Sequence, residues 1–233
     1  MPRLSLVVPT YNERDSIVPL LDAVRAALAG RDFDVCVVDD DSPDGTWQTA
    51  GDYAASHPGV SVFRRVGRRG LSGAVVEGFA RAQGDLVGVM DADLSHDPAL
   101  LPRLMDAVTG GADIAVGSRR VPGGGAENWA WHRRKGSDAA TALARWWLDL
   151  PLRDPMSGYF VLRRELFEAV AANLEPRGYK ILLEIVCRAE GARIVELPYV
   201  FRDRKQGVSK ASPRVAWQYL ASLRALRAAR KRG

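Results

Sequence analysis

The sequence predicts one α/β domain: a mostly parallel central sheet with helices on both faces, followed by a basic amphipathic helix at the C-terminus. Two observations carry the fold. Through residue 117, short apolar runs alternate with stretches of helical periodicity, the order of successive β–α units. The runs are apolar without a period of two, as strands buried on both faces must be. A third observation bears on function. The runs end in polar or acidic residues, and ligands of such sheets gather beyond the carboxyl ends of the strands.

The elements follow in order. Residues 3–9 read as a buried strand ended by Pro9, and a loop over 10–14 opens a helix with Ile17, Leu20, Leu21, Val24 and Leu28 on one face and Gly30 at its close. Residues 33–38 form a second strand running into Asp39, Asp40 and Asp41; the turn 42–46 leads to a helix ending near 56. A short strand at 60–64 precedes Gly70-Leu71-Ser72-Gly73 and a helix through 82. The strand at 85–90 stops in Asp91-Ala92-Asp93, and Pro98 suits the first turn of a helix over roughly 98–108. Residues 112–117 make one more strand.

Beyond 117 the alternation breaks. A glycine-rich loop over 121–125 precedes Trp129, Trp131 and the basic run Arg133-Arg134-Lys135, and a helix spans about 136–149. A turn over 154–160 enters a strand; helices at 163–172 and 179–190, a strand at 194–197 and a basic helix from about 213 complete the chain. With no internal repeat or linker, residues 1–233 read as one domain.

Composition narrows the classes. At 47% hydrophobic and 26% charged, the chain is ordinary for a soluble globular protein. The net charge of +5 and pI near 9.5 point to an anionic partner. A nucleic-acid module is disfavoured, because acids sit where a basic groove would be wanted. Cys36 and Cys187 lack metal-ligand spacing and read as buried thiols of a reducing compartment. Three scattered histidines argue against a histidine-based metal site or triad. The N-terminus reads as a strand rather than a targeting signal, and no apolar run reaches the length of a membrane span.

Asp91 and Asp93 are the centre of the chemistry. Side chains two apart on an extended chain point the same way, so the two carboxylates can converge on one cation. Oxygen-only ligands suit Mg²⁺ or Mn²⁺, which keep waters and hold substrate phosphates. The plainer reading is a strand end that caps the next helix. Three strands delivering Tyr11 and Glu13, Asp39 to Asp41, and Asp91 and Asp93 to one edge favour the cation. The glycine stretch 70–73 lacks a dinucleotide or P-loop pattern and reads as backbone accommodation beside the site.

Pro9-Thr10-Tyr11-Asn12-Glu13, the stretch from Val38 through Asp39-Asp40-Asp41-Ser42-Pro43-Asp44-Gly45-Thr46, and Met90-Asp91-Ala92-Asp93-Leu94-Ser95-His96 resemble inverting family-2 glycosyltransferases of the GT-A (Rossmann-like) fold. Asp154-Pro155-Met156-Ser157-Gly158-Tyr159-Phe160 and the stretch from Asp203 to Lys210 resemble the dolichyl- or polyprenyl-phosphate mannose synthases within that family. The resemblance implies mannose transfer from GDP-mannose to a polyprenyl monophosphate with inversion. It divides the domain into a nucleotide-sugar half (1–117), an acceptor half (118–212) and a basic helix (213–233). Pro9, Tyr11, Glu13, Val38 and Asp40 would hold the guanosine part. Asp91 and Asp93, with Ala92 between them, would carry Mg²⁺ or Mn²⁺ at the diphosphate. Arg119, Arg204 and Lys210 would meet phosphates, and Arg133 would recruit the lipid phosphate.

Two departures stand out. Ser95 replaces a glutamine that many relatives use in the metal shell; it reaches less far and would act through water. Ser137-Asp138-Ala139-Ala140-Thr141 carries an acid where relatives show a base. Trp129, Trp131, Trp146 and Trp147, four of six tryptophans within 19 positions, suit either a membrane interface or a packed helix. The basic C-terminal helix suits an anionic bilayer, a partner surface or solvent. The implied partners are GDP-mannose, a polyprenyl or dolichyl phosphate and the cytoplasmic face of a membrane, with a separate membrane protein as a further option. The alternatives are glucose transfer from UDP-glucose, a non-lipid acceptor, and a non-catalytic nucleotide-sugar binder.

Overall fold

The computed structural model describes residues 2–127, 131–175, 180–202, 219, 221 and 223–228, the side chains of 132–134 excepted. The strands are β1 (Leu4–Thr10), β2 (Phe33–Asp39), β3 (Val60–Arg64), β4 (Leu86–Val89), β5 (Ile114–Ser118), β6 (Gly125–Ala126), β7 (Phe160–Arg163), β8 (Ile194–Pro198) and β9 (Val200–Phe201). The helices are α1 (Arg14–Ala27), α2 (Thr46–Ser56), α3 (Leu71–Arg81), α4 (Leu101–Thr109), α5 (Trp131–Leu148), α6 (Arg164–Ala171) and α7 (Ile181–Arg188).

Seven strands form one sheet in the order β3-β2-β1-β4-β7-β5-β8, and β6 pairs with β9 beside it. The chain runs outward from β1 through β2 to β3, then returns to place β4 on the other side of β1. This reversal makes β1/β4 a topological switch point, where an open α/β sheet leaves a crevice at the strands' carboxyl ends. Every pairing is parallel except those of β7, which lies antiparallel between β4 and β5. That one inversion matters: Phe160 opposes Val89, so the segment entering β7 arrives at the same edge that β4 leaves.

Both faces are apolar because successive side chains alternate sides. Leu4, Leu6 and Val8 of β1 pack with α1, α2 and α4, and Val7 packs on the opposite face with α3, α5, α6 and α7. Gly78 of α3 allows the closest approach, since a Cβ there would lie 2.5 Å from a Val7 methyl. Tyr219, Leu223 and Leu226 are buried in the same core, so the described part of the C-terminal helix spends its apolar side on the protein itself.

Two elements begin differently from the sequence reading, and a third gains its direction. α5 starts at Trp131 rather than 136, so the basic run 133–135 lies on the helix and not before it. Gly136 is a poor helix former, by about 1 kcal/mol, but it sits on an exposed face where packing decides little. The helix expected at 98–108 opens as a 3₁₀ turn, Pro98–Leu100, capped by the Asp97 carboxylate accepting from Ala99 N. The strand after 154–160 is the antiparallel β7, whose distant partners no local pattern reveals. Neither Cys36 nor Cys187 forms a disulfide.

Candidate active site

Asp91, Ala92 and Asp93 follow β4 at the switch point. Met90 N donates to Val7 O, which keeps the chain against β1 until the turn begins. The turn then closes on itself. Leu94 takes a left-handed φ of 61°, and Ser95 N donates to Asp93 Oδ1 at 3.0 Å. Asp91 N donates to His96 Nδ1 at 3.2 Å, and the His96 ring stacks 5.0 Å from Tyr159. His96 is thus a brace for the turn, and its Nδ1 is committed as an acceptor. Ala92 and Ser95 are buried, which leaves the two carboxylates as the polar face of the turn.

β5 and the segment before β7 supply the opposite wall. Arg119, one residue beyond β5, donates to Asp154 from Nε at 2.7 Å and from Nη2 at 2.8 Å, and its backbone N adds a third bond at 3.1 Å. Asp154 is fully buried and is fixed in turn by Glu196, which accepts from Asp154 N. Burial alone would raise the Asp154 carboxyl; the hydrogen bonds and charge of Arg119 hold it below its ordinary value. Burial likewise opposes charge on Arg119, and Asp154 outweighs it, with Asp91 a further favourable neighbour. Gly158 completes the wall: a Cβ there would stand 3.3 Å from one Asp91 oxygen and 3.4 Å from the other.

The other side of the edge rests on β1 and β2. Asp39, the last residue of β2, is fully buried and accepts from Thr10 Oγ1 at 2.8 Å and from Ser42 N and Oγ. It organises the loop. Asp40 pairs with the buried Arg65 and accepts from Gly70 N at 2.6 Å. Burial dominates there and raises the Asp40 carboxyl above its ordinary value, against the pull of Gly70 and Arg65. The glycine stretch serves this pair, since a Cβ on Gly73 would meet Arg65 Nη2 at 2.7 Å. Tyr11 stays exposed beneath Arg69, whose guanidinium carbon lies 4.6 Å from the ring centroid.

The sequence-derived residues therefore divide. Pro9 is the penultimate residue of β1, and Tyr11, Glu13, Asp40, Asp91, Ala92, Asp93, Ser95 and Arg119 follow the carboxyl ends of their strands on the edge described above. Val38 is fully buried beneath α3, so it offers a ligand backbone atoms only. Arg119 does not present an open fork, because Asp154 occupies two of its donors. Arg204 and Lys210 lie outside the described residues, as do Trp129 and the side chain of Arg133. Four residues were not singled out from sequence: Arg65, Asp154 as the partner of Arg119, Gly158, and Tyr199. Arg65 carried a usable signal, being the first residue beyond a parallel strand. Tyr199 carried none: it is 5% exposed, its hydroxyl has no hydrogen-bond partner among the described residues, and Arg119, Asp154, Asp91 and Asp93 all act on it electrostatically.

This donor set fits a hard divalent cation. The Arg119–Asp154 pair is formally neutral, so Asp91 and Asp93 leave two negative charges on the wall. Among the described residues no group of three His, Cys, Asp or Glu is placed to hold a metal ion, so a cation here would draw on the two carboxylates and the buried Ser95 hydroxyl. Mg²⁺ and Mn²⁺ sites of few carboxylates leave positions for water and substrate phosphate.

Known proteins place this architecture. The family model described as "Glycosyl transferase family 2" matches residues 5–171. A dolichol-phosphate mannosyltransferase of Pyrococcus furiosus is 43% identical over 94% of this chain, which spans 62% of that relative's length. A polyprenol monophosphomannose synthase of Mycolicibacterium smegmatis is 39% identical, with 90% of this chain and 81% of that protein covered. Among solved structures, glucosyl-3-phosphoglycerate synthase of Mycobacterium tuberculosis with Mn²⁺, UDP-glucose and phosphoglyceric acid superposes at TM-score 0.73 and 21% identity, over 97% of this chain and 80% of that one. The mannosyltransferase PcManGT of Pyrobaculum calidifontis, with GDP-Man and Mn²⁺, superposes at TM-score 0.67 and 21% identity, over 99% and 64%. These structures share the GT-A fold, and the sequence matches go further: this chain belongs to glycosyl transferase family 2.

Proposed function

We propose that this chain transfers mannose from GDP-mannose to the phosphate of a polyprenyl or dolichyl monophosphate, with inversion, using Mg²⁺ or Mn²⁺ at Asp91 and Asp93. The observation that carries the reading is the switch point, where the Asp91–Asp93 turn stands beside a formally neutral Arg119–Asp154 pair, with Asp91 acting on Arg119 and lying against Gly158. The mannosyltransferase names of relatives near 40% identity support the sugar and the acceptor.

A bound divalent cation supplies positive charge against the diphosphate leaving group. The residues do the rest. Pro9, Tyr11, Glu13 and Asp40, with the backbone of Val38, line the side of the edge where guanosine would lie, and Arg69 over Tyr11 adds positive charge there. Asp154 and Glu196 hold Arg119 in one orientation, so its charge is preorganised rather than recruited. Gly158 keeps the space over Asp91 open. In the reaction an acceptor phosphate oxygen forms a bond to the anomeric carbon. The bond from that carbon to the β-phosphate oxygen breaks, and its electron pair leaves with GDP. A phosphate monoester has a second pKa of about 6, so the acceptor is an anion at neutral pH and no general base is needed. That accords with His96 serving as a brace.

Arg204, Lys210 and Arg133 complete the proposal as phosphate contacts. The chain would work peripherally on the cytoplasmic face of a membrane, alone or with a membrane protein. No helix among the described residues is long and apolar enough to cross a membrane, and Trp131 and Trp146 are exposed on α5. The test is to incubate the chain with labelled GDP-mannose or UDP-glucose, polyprenyl phosphate and Mn²⁺, then extract lipid. Label from GDP-mannose alone is the expected result; label from UDP-glucose alone, or from neither donor, overturns it.

A further inference from the structure

Beside the Arg119–Asp154 pair lies a cavity of about 470 Å³, lined by Arg120, Asp138, Thr141, Ala142, Arg145 and Arg153. Its position follows from the wall. Arg119 and Asp154 close on each other, while Arg120 and Arg153, adjacent to them in sequence, line the cavity. α5 supplies Asp138, Thr141, Ala142 and Arg145, spaced three, four and seven apart and so on one helical face.

Three guanidinium charges against the one carboxylate of Asp138 leave two positive charges in this lining. Arg120 gives Nη1 to Asp138 and Nη2 to Ser137 Oγ at 3.0 Å, but its Nε is buried without a hydrogen-bond partner. Thr141 is 3% exposed and its buried hydroxyl also has no partner. The side chains of Arg145 and Arg153 form no ion pair among the described residues. A buried hydroxyl left unbonded costs free energy unless something meets it. A volume of this size holds a small ligand.

We infer that this cavity is a binding site for a phosphate monoester, separate from the position where the sugar is transferred. A monoester carries about −1.5 to −2 charges at neutral pH and three acceptor oxygens, matching the double positive charge, the arginine donors and the Thr141 hydroxyl. A carboxylate carries half the required charge.

The test is calorimetric titration of the full chain with inorganic phosphate, farnesyl monophosphate and acetate. Arg145→Gln, Arg153→Gln and Asp93→Ala are each measured beside the parent, and thermal unfolding midpoints check that every variant folds. Phosphate affinity is expected to fall about tenfold or more in Arg145→Gln and Arg153→Gln, and to persist in Asp93→Ala. Farnesyl monophosphate binding more tightly than phosphate identifies a lipid-borne ligand; equal affinity identifies a soluble one. Unchanged phosphate affinity in both arginine variants, or acetate binding as tightly as phosphate, overturns the site. No sugar donor is present, so the phosphate result is independent of the proposed transfer; only the meaning of the farnesyl arm rests on it.

Discussion

Each half of the sheet edge carries a buried arginine–aspartate pair, and the two are built differently. Asp154 takes two side-chain donors and one backbone donor from Arg119 and sits at zero exposure. Asp40 takes one guanidinium nitrogen of Arg65 and one backbone N–H; that same Nη1 also donates to Gly70 O, and Nε is turned to Glu77. The consequence is electrostatic. Asp154 is held below its ordinary carboxyl value, whereas burial wins at Asp40 and raises it. A fork satisfied on both prongs locks its carboxylate as an ion. A single prong leaves burial dominant, and the carboxyl stays above its ordinary value. The β5/β7 side is a fixed wall, and the β1/β2 side is a softer support.

The largest expected effect breaks the rigid pair. Asp154→Ala leaves Arg119 buried without its counter-charge and should cost about 3–5 kcal/mol in urea denaturation, with Arg119→Met/Asp154→Leu recovering much of it. A loss below about 1 kcal/mol would mean that the wall is not held by this pair.

Next comes the space that the wall guards. Gly158→Ala places a methyl 3.3 Å from the Asp91 carboxylate. Turnover should drop about ten- to a hundredfold, because small displacements at a reacting site cost that much, with stability shifted by no more than about 1 kcal/mol. Unchanged turnover would show that Asp91 does not need its present position.

The pH dependence of stability should have opposite signs for the two pairs. A depressed Asp154 contributes stability that is present above the unfolded carboxyl value of 3.8 and is lost as pH falls through the lower folded value. A raised Asp40 binds its proton more readily when folded, so its contribution grows as pH falls through the raised value toward 3.8. Comparing the parent with Asp154→Asn and with Asp40→Asn across pH 2 to 7 reads both slopes (the window follows from the ordinary value of about 4). Slopes of the same sign would erase the contrast.

The smallest effect concerns Tyr199. Its buried hydroxyl has no partner among the described residues, so Tyr199→Phe should leave stability unchanged or raise it by up to about 1 kcal/mol, while lowering turnover severalfold. A clear loss of stability with unaltered turnover would give that hydroxyl a purely structural role.

The sheet edge that carries the two pairs was legible in the sequence, the pairs themselves were not, and what was missed has a common cause. Local pattern gave the strands that end in Thr10, Asp39 and Val89, because buried parallel strands and their polar ends are written in consecutive residues. It also brought Asp91 and Asp93 to the edge. Pairing across long separations was not written locally. Asp154 meets Arg119 from 35 residues away only because β7 runs antiparallel, and Arg65 reaches Asp40 across β3 and β2. The start of α5 was misplaced because Gly136 and the charges before it look like a loop, whereas the helix continues on its exposed side through them.

The central claim is that Asp91 and Asp93 hold the donor through a divalent cation. Its most direct measurement is GDP-mannose binding by calorimetry with Mn²⁺ and after chelation, in the parent and in Asp93→Ala. Tight binding that needs Mn²⁺ in the parent, and weak binding indifferent to Mn²⁺ in Asp93→Ala, is the predicted result. The same Mn²⁺-dependent affinity in both proteins would contradict it.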